Sequence, residues 1–149
     1  MAFAEKLTAF AAQMEAQNKV VSFHPRAQEY RRFGDKTAVD ILMENTPDSF
    51  QLGLDLYHLI KAGLDPDEWV HRYQGRIEFV HFKDCSHDSS GKELLVPLGQ
   101  GEIDWASSIR ACKETGVKWA FAEQERWQKD AFQCMAESLA FLKENGINP

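Results

Sequence analysis

The stretch IEFVHFKD, residues 77–84, decides the fold class, because it is a short apolar run that ends in polar side chains. Three other runs share this pattern and are also predicted as strands: KVVSFH (19–24), FQLGLD (50–55) and VKWAFAE (117–123). Helical patterns separate these runs, and strands separated by helices pair in parallel through right-handed crossovers. The sequence therefore predicts an α/β fold of four strand–helix units.

Apolar residues at helical spacing, with capping residues and glycine stops, predict the helices between the strands. The predicted helices span residues 2–17, 37–45, 56–62, 66–73, 105–115 and 129–144. In the first of them Phe3, Phe10 and Met14 are expected to pack against the core. Residues 84–101, rich in Ser, Gly and Asp, are predicted as the longest loop. Three tryptophans are also interpreted as packing residues: Trp105, Trp119 and Trp127.

Length and composition favour a single soluble domain over residues 1–149, with 44% hydrophobic and 27% charged residues. The formal charge of −6 argues against nucleic acid as a partner. No apolar run reaches the roughly 20 residues that a membrane helix needs. The three cysteines lack metal-site or redox-pair spacing and are interpreted as free thiols of a reducing compartment, which predicts a cytoplasmic protein.

Each predicted strand ends at a polar residue that can bind a metal. The four residues are His24, Asp55, His81 and Glu123. Alone, such a His is more often a hydrogen-bonded structural residue, and such an Asp is more often a helix cap. Because the carboxyl ends of parallel strands meet at the ligand-binding edge of a sheet, the four together indicate a site for a divalent transition metal.

Further polar side chains are expected at the same edge. Residues two apart on a strand share a face, so Lys83 should lie beside His81, and Glu125 beside Glu123. His58 follows the end of the second strand by three residues. An ordinary ion pair between Lys83 and Glu125 is an equally good interpretation of those two residues.

The segment VPLGQGEIDW, residues 96–105, has two glycines just before a predicted helix. Such a loop can hold a phosphate on its backbone N–H groups. A tight turn that leads into an Asp-capped helix explains the same residues and is the favoured interpretation.

Several of these stretches resemble the sugar phosphate isomerase/epimerase family of the xylose isomerase-like TIM-barrel superfamily. The stretches are FQLGLDLYHLIKAGLDP (50–66), GRIEFVHFKD (75–84), VPLGQGEIDW (96–105), VKWAFAEQE (117–125) and, more loosely, FHPRAQEY (23–30). They match strands five to eight of the family's barrel in order. The resemblance therefore implies the C-terminal half of a barrel, a parallel (β/α) half barrel.

The resemblance implies that Asp55, His81 and Glu123 bind a divalent metal ion: zinc, manganese, magnesium or cobalt. The family often has Glu as the fourth ligand. Here His24 stands at that position, and Glu29 is the less favoured alternative. Arg26 replaces the second His of the family's fifth-strand segment. Some epimerases of the family use a pair of glutamates, and of that pair only Glu123 has a clear counterpart here.

The activity implied by the resemblance is a metal-dependent isomerase or epimerase that acts on a sugar, sugar phosphate or keto-polyol through an enediolate. Glu123 or Glu125 would move the proton, and His58, also a catalytic candidate, would contact the substrate. Lys83, a further catalytic candidate, and Arg26 would hold phosphate or hydroxyl oxygens. A polyol dehydratase of the same superfamily and a non-catalytic half-barrel module are the alternatives.

A half barrel leaves two sheet edges open, whereas a complete barrel has eight strands and about 250 residues. Two copies could close a barrel as a homodimer. A separate chain could supply the missing half, or the chain could be a truncated remnant. The sequence leaves these alternatives open.

Overall fold

A computed structural model describes residues 2–148. In chain order the elements are α1 (Ala2–Glu15), β1 (Val21–Phe23), a 3-10 turn (Ala27–Tyr30), β2 (Arg32–Phe33), β3 (Lys36–Thr37), α2 (Ala38–Glu44), β4 (Phe50–Asp55), α3 (Leu56–Lys61), α4 (Pro66–Arg72), β5 (Ile77–Phe82), β6 (Asp84–His87), β7 (Glu93–Val96), α5 (Ala106–Thr115), β8 (Trp119–Ala122) and α6 (Ala131–Glu144). None of the helices within residues 2–148 is long and apolar enough to cross a membrane.

The main sheet has four parallel strands in the order β1-β4-β5-β8, which confirms the predicted α/β half barrel. Its strands follow one another in chain order, and helices cover one face. In the register Asp55 of β4 lies opposite His81 of β5, which lies opposite Phe121 of β8. The sheet is not closed, and β1 and β8 are its two edges.

Alternation along the strands places the core on the helix-covered face of the sheet. Leu54 of β4 and both Val80 and Phe82 of β5 are fully buried there. They belong to the same hydrophobic cluster as Trp69 of α4 and Trp105 before α5, which are also buried. This packing fixes the strands, and with them the side chains at the carboxyl edge of the sheet.

Four of the predicted packing residues are exposed. Phe3 and Phe10 of α1 are 60% and 47% exposed, and that helix buries Ala4 instead. Trp119 is 59% exposed on the edge strand β8, and Trp127 is 39% exposed after it, so of the three tryptophans only Trp105 is buried. Helical or strand spacing identifies an apolar face, but it does not show whether another element covers that face.

The predicted loop 84–101 is wrong in part, because it contains an antiparallel hairpin of β6 and β7. Gly91 turns this hairpin with a φ of 80°, a left-handed conformation that glycine adopts readily. A smaller hairpin of β2 and β3 follows the 3-10 turn. Cys85, Cys112 and Cys134 are buried free thiols.

Candidate metal centre

Four side chains from four neighbouring strands meet at the carboxyl edge of the sheet. His24 follows β1, Asp55 ends β4, His81 lies in β5, and Glu123 follows β8. One potential ligand atom from each lies within 4.8 Å of the others. The parallel register produces this cluster, because equivalent strand ends are brought side by side.

The orientation of His24 leaves a ring nitrogen available for a metal. Its Nδ1 lies 2.8 Å from the carbonyl oxygen of Gly53. A carbonyl only accepts hydrogen bonds, so Nδ1 carries the proton and Nε2 keeps a lone pair. Gly53 is required for close packing, because a Cβ there would lie 2.1 Å from the Phe79 ring.

Asp55 has a buried carboxylate oxygen without a hydrogen bond from any residue of the range 2–148. The side chain is fully buried, and its Oδ1 accepts a hydrogen bond of 3.0 Å from the backbone N–H of His58. The oxygen without a hydrogen bond is Oδ2, which forms an ion pair with the Lys83 ammonium at 3.3 Å and lies 3.7 Å from the His58 ring. A buried carboxylate oxygen without a hydrogen bond, next to two imidazoles and a second carboxylate, fits a divalent cation.

Lys83 lies beneath the cluster, and its side chain is only 2% exposed. Its ammonium donates a hydrogen bond to Glu125 at 2.9 Å and forms ion pairs with Glu123 at 3.0 Å and with Asp55 at 3.3 Å. Burial alone would lower the pKa of Lys83, but Glu125 and the other carboxylates raise it overall. Lys83 is therefore charged and holds three carboxylates in place.

Each carboxylate oxygen of Glu123 has one partner: the His81 imidazole contacts one oxygen, and the Lys83 ammonium contacts the other. Burial raises the pKa of Glu123, but the Lys83 hydrogen bond and charge, together with His81, outweigh burial and lower the pKa to about 2. Glu123 is consequently a carboxylate at neutral pH, as a metal ligand must be.

The remaining predicted site residues lie in different surroundings. His58 is beside Asp55, and burial lowers its pKa although the Asp55 charge opposes this. Glu125 lies on the same side as Glu123, as predicted, and its side chain is 54% exposed. Arg26 is exposed on the loop after β1. Glu29 lies outside the cluster, and its carboxylate accepts the backbone N–H of Arg26 at 2.7 Å.

Comparison with known proteins places this geometry in a family. The family described as "Xylose isomerase-like TIM barrel" matches residues 1–145. The chain belongs to this family. The resemblance read from the sequence is thereby confirmed.

Proteins with related sequences include two inosose dehydratases. That of Lacticaseibacillus casei is 33% identical over 104 residues, covering 59% of this chain and 35% of that protein. That of Geobacillus kaustophilus is 47% identical over 72 residues, covering 48% of this chain and 22% of that protein. The matched segments therefore cover about a third or less of the length of these relatives.

Solved structures of other proteins share the fold. A sugar phosphate isomerase/epimerase from Parabacteroides distasonis superposes with a TM-score of 0.79 at 19% identity. The match covers 97% of this chain and 52% of that one. An L-ribulose 3-epimerase gives a TM-score of 0.71 at the same identity, again over 52% of its length. The chain thus corresponds to half of a xylose isomerase-like barrel.

Two groups near the site were missed by the sequence analysis. The Tyr57 hydroxyl and the Lys61 ammonium each donate to the Glu93 carboxylate at 2.7 Å, and these hydrogen bonds tie α3 to β7. The Tyr57 ring also lies 5.6 Å from the Lys83 ammonium. Asp84, which is fully buried, holds the glycine loop by hydrogen bonds to Gly99 and Gly101. The HFKD ending could have indicated Asp84, whereas Glu93 lay in a segment predicted as loop.

Proposed function

We propose that this chain forms half of a metal-dependent isomerase or epimerase that acts on a keto-sugar or keto-polyol. The observation that carries the proposal is the convergence of His24, Asp55, His81 and Glu123 within 4.8 Å. These residues would hold one divalent ion: zinc, manganese, magnesium or cobalt. When bound, such an ion supplies Lewis-acid stabilisation for an enediolate formed from the substrate carbonyl and its neighbouring hydroxyl.

The protein's own groups would move the proton at the carbon next to the carbonyl. Glu125 is our candidate base, because its half-exposed carboxylate lies outside the ligand cluster and one of its oxygens meets only Lys83. Glu123 is less suited, since His81 and Lys83 already engage both of its oxygens. A positioned carboxylate base contributes about 10²–10⁴-fold to the rate.

His58 and Arg26 would hold substrate hydroxyl groups. His58 is partly exposed beside Asp55, and Arg26 is exposed at the β1 edge. Lys83 takes a different role from the substrate contact first expected, because its ammonium is buried under three carboxylates. We therefore propose Lys83 as the residue that positions Asp55 and Glu123 for the ion.

A polyol dehydratase is the second candidate, favoured by the two inosose dehydratases among the relatives. Removal of the same proton can be followed by loss of a neighbouring hydroxyl as water instead of by reprotonation. The two activities therefore share the first step and the residues that perform it, and they differ in the product.

The other half of the barrel must come from a second copy of the chain or from further polypeptide. Open edges at β1 and β8 support this proposal, as do the exposed aromatic residues Phe10, Trp119 and Phe121. Light scattering of the purified chain tests it: a dimer supports closure by two copies. A chain that stays monomeric supports the alternative that a different polypeptide supplies the other half of the barrel.

Hydrogen–deuterium exchange into substrate tests the activity. The chain, loaded with Mn²⁺, is incubated in D₂O with a keto-inositol or a ketohexose, and deuterium at the carbon next to the carbonyl is measured by mass spectrometry. We expect exchange that Glu125→Gln abolishes and Glu102→Gln, which changes an exposed carboxylate paired with His87, does not. Loss of one water from the product identifies a dehydratase. A metal-loaded dimer without exchange would favour a non-catalytic half barrel.

A further inference from the structure

We infer that Gln124 is a positioning residue, which holds the candidate base Glu125 in place by anchoring the chain around it to strand β7. The inference rests on the proposed function and adds a residue to it. Gln124 lies between the proposed ligand Glu123 and Glu125 in the sequence, and it is not a member of the metal cluster.

The segment that carries Glu125 has little support from its own backbone. Residues 123–130 lie between β8 and α6 and form neither helix nor strand. Within residues 2–148, no backbone N–H or carbonyl group of residues 124–129 forms a hydrogen bond with another backbone group. Residues 125–130 are all exposed. The position of Glu125 therefore depends on side-chain contacts of this segment.

Gln124 supplies two such contacts from a single amide group, and its side chain is buried. Its Nε2 donates to the Leu95 carbonyl of β7 at 3.1 Å and to the Arg126 carbonyl at 2.9 Å. The first hydrogen bond ties the segment to β7, and the second closes a turn around Glu125. A primary amide carries two N–H donors on one nitrogen, so a glutamine can make both hydrogen bonds at once.

Strand β7 is a suitable anchor because it is fixed to the other side of the site. Leu95 is 1% exposed and lies in one apolar cluster with Tyr57 of α3 and Cys85 of β6. Two residues before Leu95, Glu93 accepts a hydrogen bond of 2.7 Å from the Tyr57 hydroxyl. Helix α3 begins directly after Asp55. Strand β7 therefore relates the segment after β8 to the metal cluster.

The contacts of Gln124 differ in kind from the contact between Lys83 and Glu125. The hydrogen bonds of Gln124 join neutral groups, so they hold the segment equally well before and after Glu125 takes up a proton. The Lys83 contact is strongest when Glu125 is charged. In addition, Gln124 Oε1 is buried and has no hydrogen bond from any residue of the range 2–148, which costs free energy. The two N–H groups are thus what this amide provides.

Steady-state kinetics of a Gln124→Met variant test the inference. Methionine has a similar length and lacks both donors. The wild type and the variant, both loaded with Mn²⁺, are compared in the deuterium exchange assay at increasing concentrations of D-fructose. We expect the rate at saturating substrate to fall at least about tenfold, because a displaced base loses its alignment with the substrate. The KM and the Mn²⁺ dissociation constant should stay unchanged, since the Glu123 N–H is held separately by the Phe82 carbonyl at 2.9 Å.

The possible results separate this inference from the proposed function. An unchanged rate in Gln124→Met, or an equal loss of Mn²⁺ affinity, overturns the inference and leaves the proposed function intact. A wild-type chain without substrate exchange overturns both. Trypsin cleavage after Arg126 reports the anchoring without any substrate, and it should be faster in Gln124→Met. Equal cleavage of the two proteins would contradict the anchoring by β7.

Two further variants serve as control and as second measurement. Gln51→Met removes a hydrogen bond of the same kind, from the side-chain amide to the Asp48 carbonyl at 2.6 Å, at the amino end of β4. It should leave the exchange rate unchanged, and a loss equal to that of Gln124→Met would overturn the inference. Gln124→Asn keeps a neutral amide but is one methylene shorter, so it cannot reach both carbonyls. It should also lower the rate at saturating substrate, which gives a second measurement if Gln124→Met does not fold, and a wild-type rate would overturn the inference.

Discussion

Replacement of Lys83 by methionine tests whether a buried ammonium holds the site together. Methionine keeps much of the side-chain length and removes the charge. Asp55, which is fully buried, then loses its nearest cation, and Glu123 loses an ion pair of 3.0 Å. We expect Lys83→Met to lower the free energy of unfolding by about 3 kcal/mol, the lower end for breaking a buried ion pair, because Glu123 and Glu125 keep some contact with water.

The effect should depend on pH with a definite sign. Burial raises the pKa of Glu123, but Lys83, together with His81, outweighs burial and lowers the pKa to about 2 in the folded protein. A carboxyl group whose pKa is lowered by folding stabilises the folded state. This stabilisation is complete above the ordinary pKa near 4.3, and it is lost as the pH falls towards the pKa of the folded state. The difference between wild type and Lys83→Met should therefore be largest near neutral pH and should shrink between about pH 4 and pH 2.

Urea denaturation of wild type and variant, followed by circular dichroism, measures this difference. Lys118→Met is the matched control, because Lys118 is 65% exposed and pairs with Glu78 at 3.1 Å. An exposed pair of this kind contributes less than about 1 kcal/mol. If Lys83→Met and Lys118→Met lose the same stability, Lys83 does not organise the site.

Two further predictions concern parts of the fold outside the metal cluster. Gly101→Ala should destabilise the chain by about 1–3 kcal/mol in thermal denaturation, since the new methyl group would overlap the Asp84 carboxylate; an unchanged Tm would contradict the close packing. For His71, a hydrogen bond to the Asp67 carbonyl, with Glu114, raises the pKa. The stability advantage of wild type over His71→Gln should thus be full below about pH 6.5 and disappear at higher pH, and an advantage that grows with pH would contradict this.

The strand ends were predictable because two simple rules determine them. Short apolar runs that end in polar residues mark the strands, and parallel pairing then brings those ends together. Asp55 and His81, which lie opposite each other in the register, show that these rules suffice for the core of the site. The same alternation predicted Lys83 on the face of His81, and both side chains contact Glu123.

The exposed faces and the hairpin were not predictable in this way. Phe3 and Phe10 follow helical spacing, but burial depends on a covering element that the described half barrel does not supply. Strands β6 and β7 have only four residues each, and β6 is mostly polar, so the segment was interpreted as a loop. The role of Asp84 depends on a contact with Gly101, which lies 17 residues further along the chain.

Metal binding by the chain and its Asp55→Asn variant is the most direct test of the central claim. Both proteins are dialysed against Mn²⁺, and bound metal is measured by mass spectrometry, with Glu102→Gln as a control for the loss of an acidic group. We predict one ion per cluster in wild type and in Glu102→Gln, and an affinity at least about tenfold lower in Asp55→Asn, because the amide replaces the buried carboxylate oxygen that has no other hydrogen bond within residues 2–148. Equal binding by wild type and Asp55→Asn, or no binding by either, would contradict the assignment of this cluster as a metal centre.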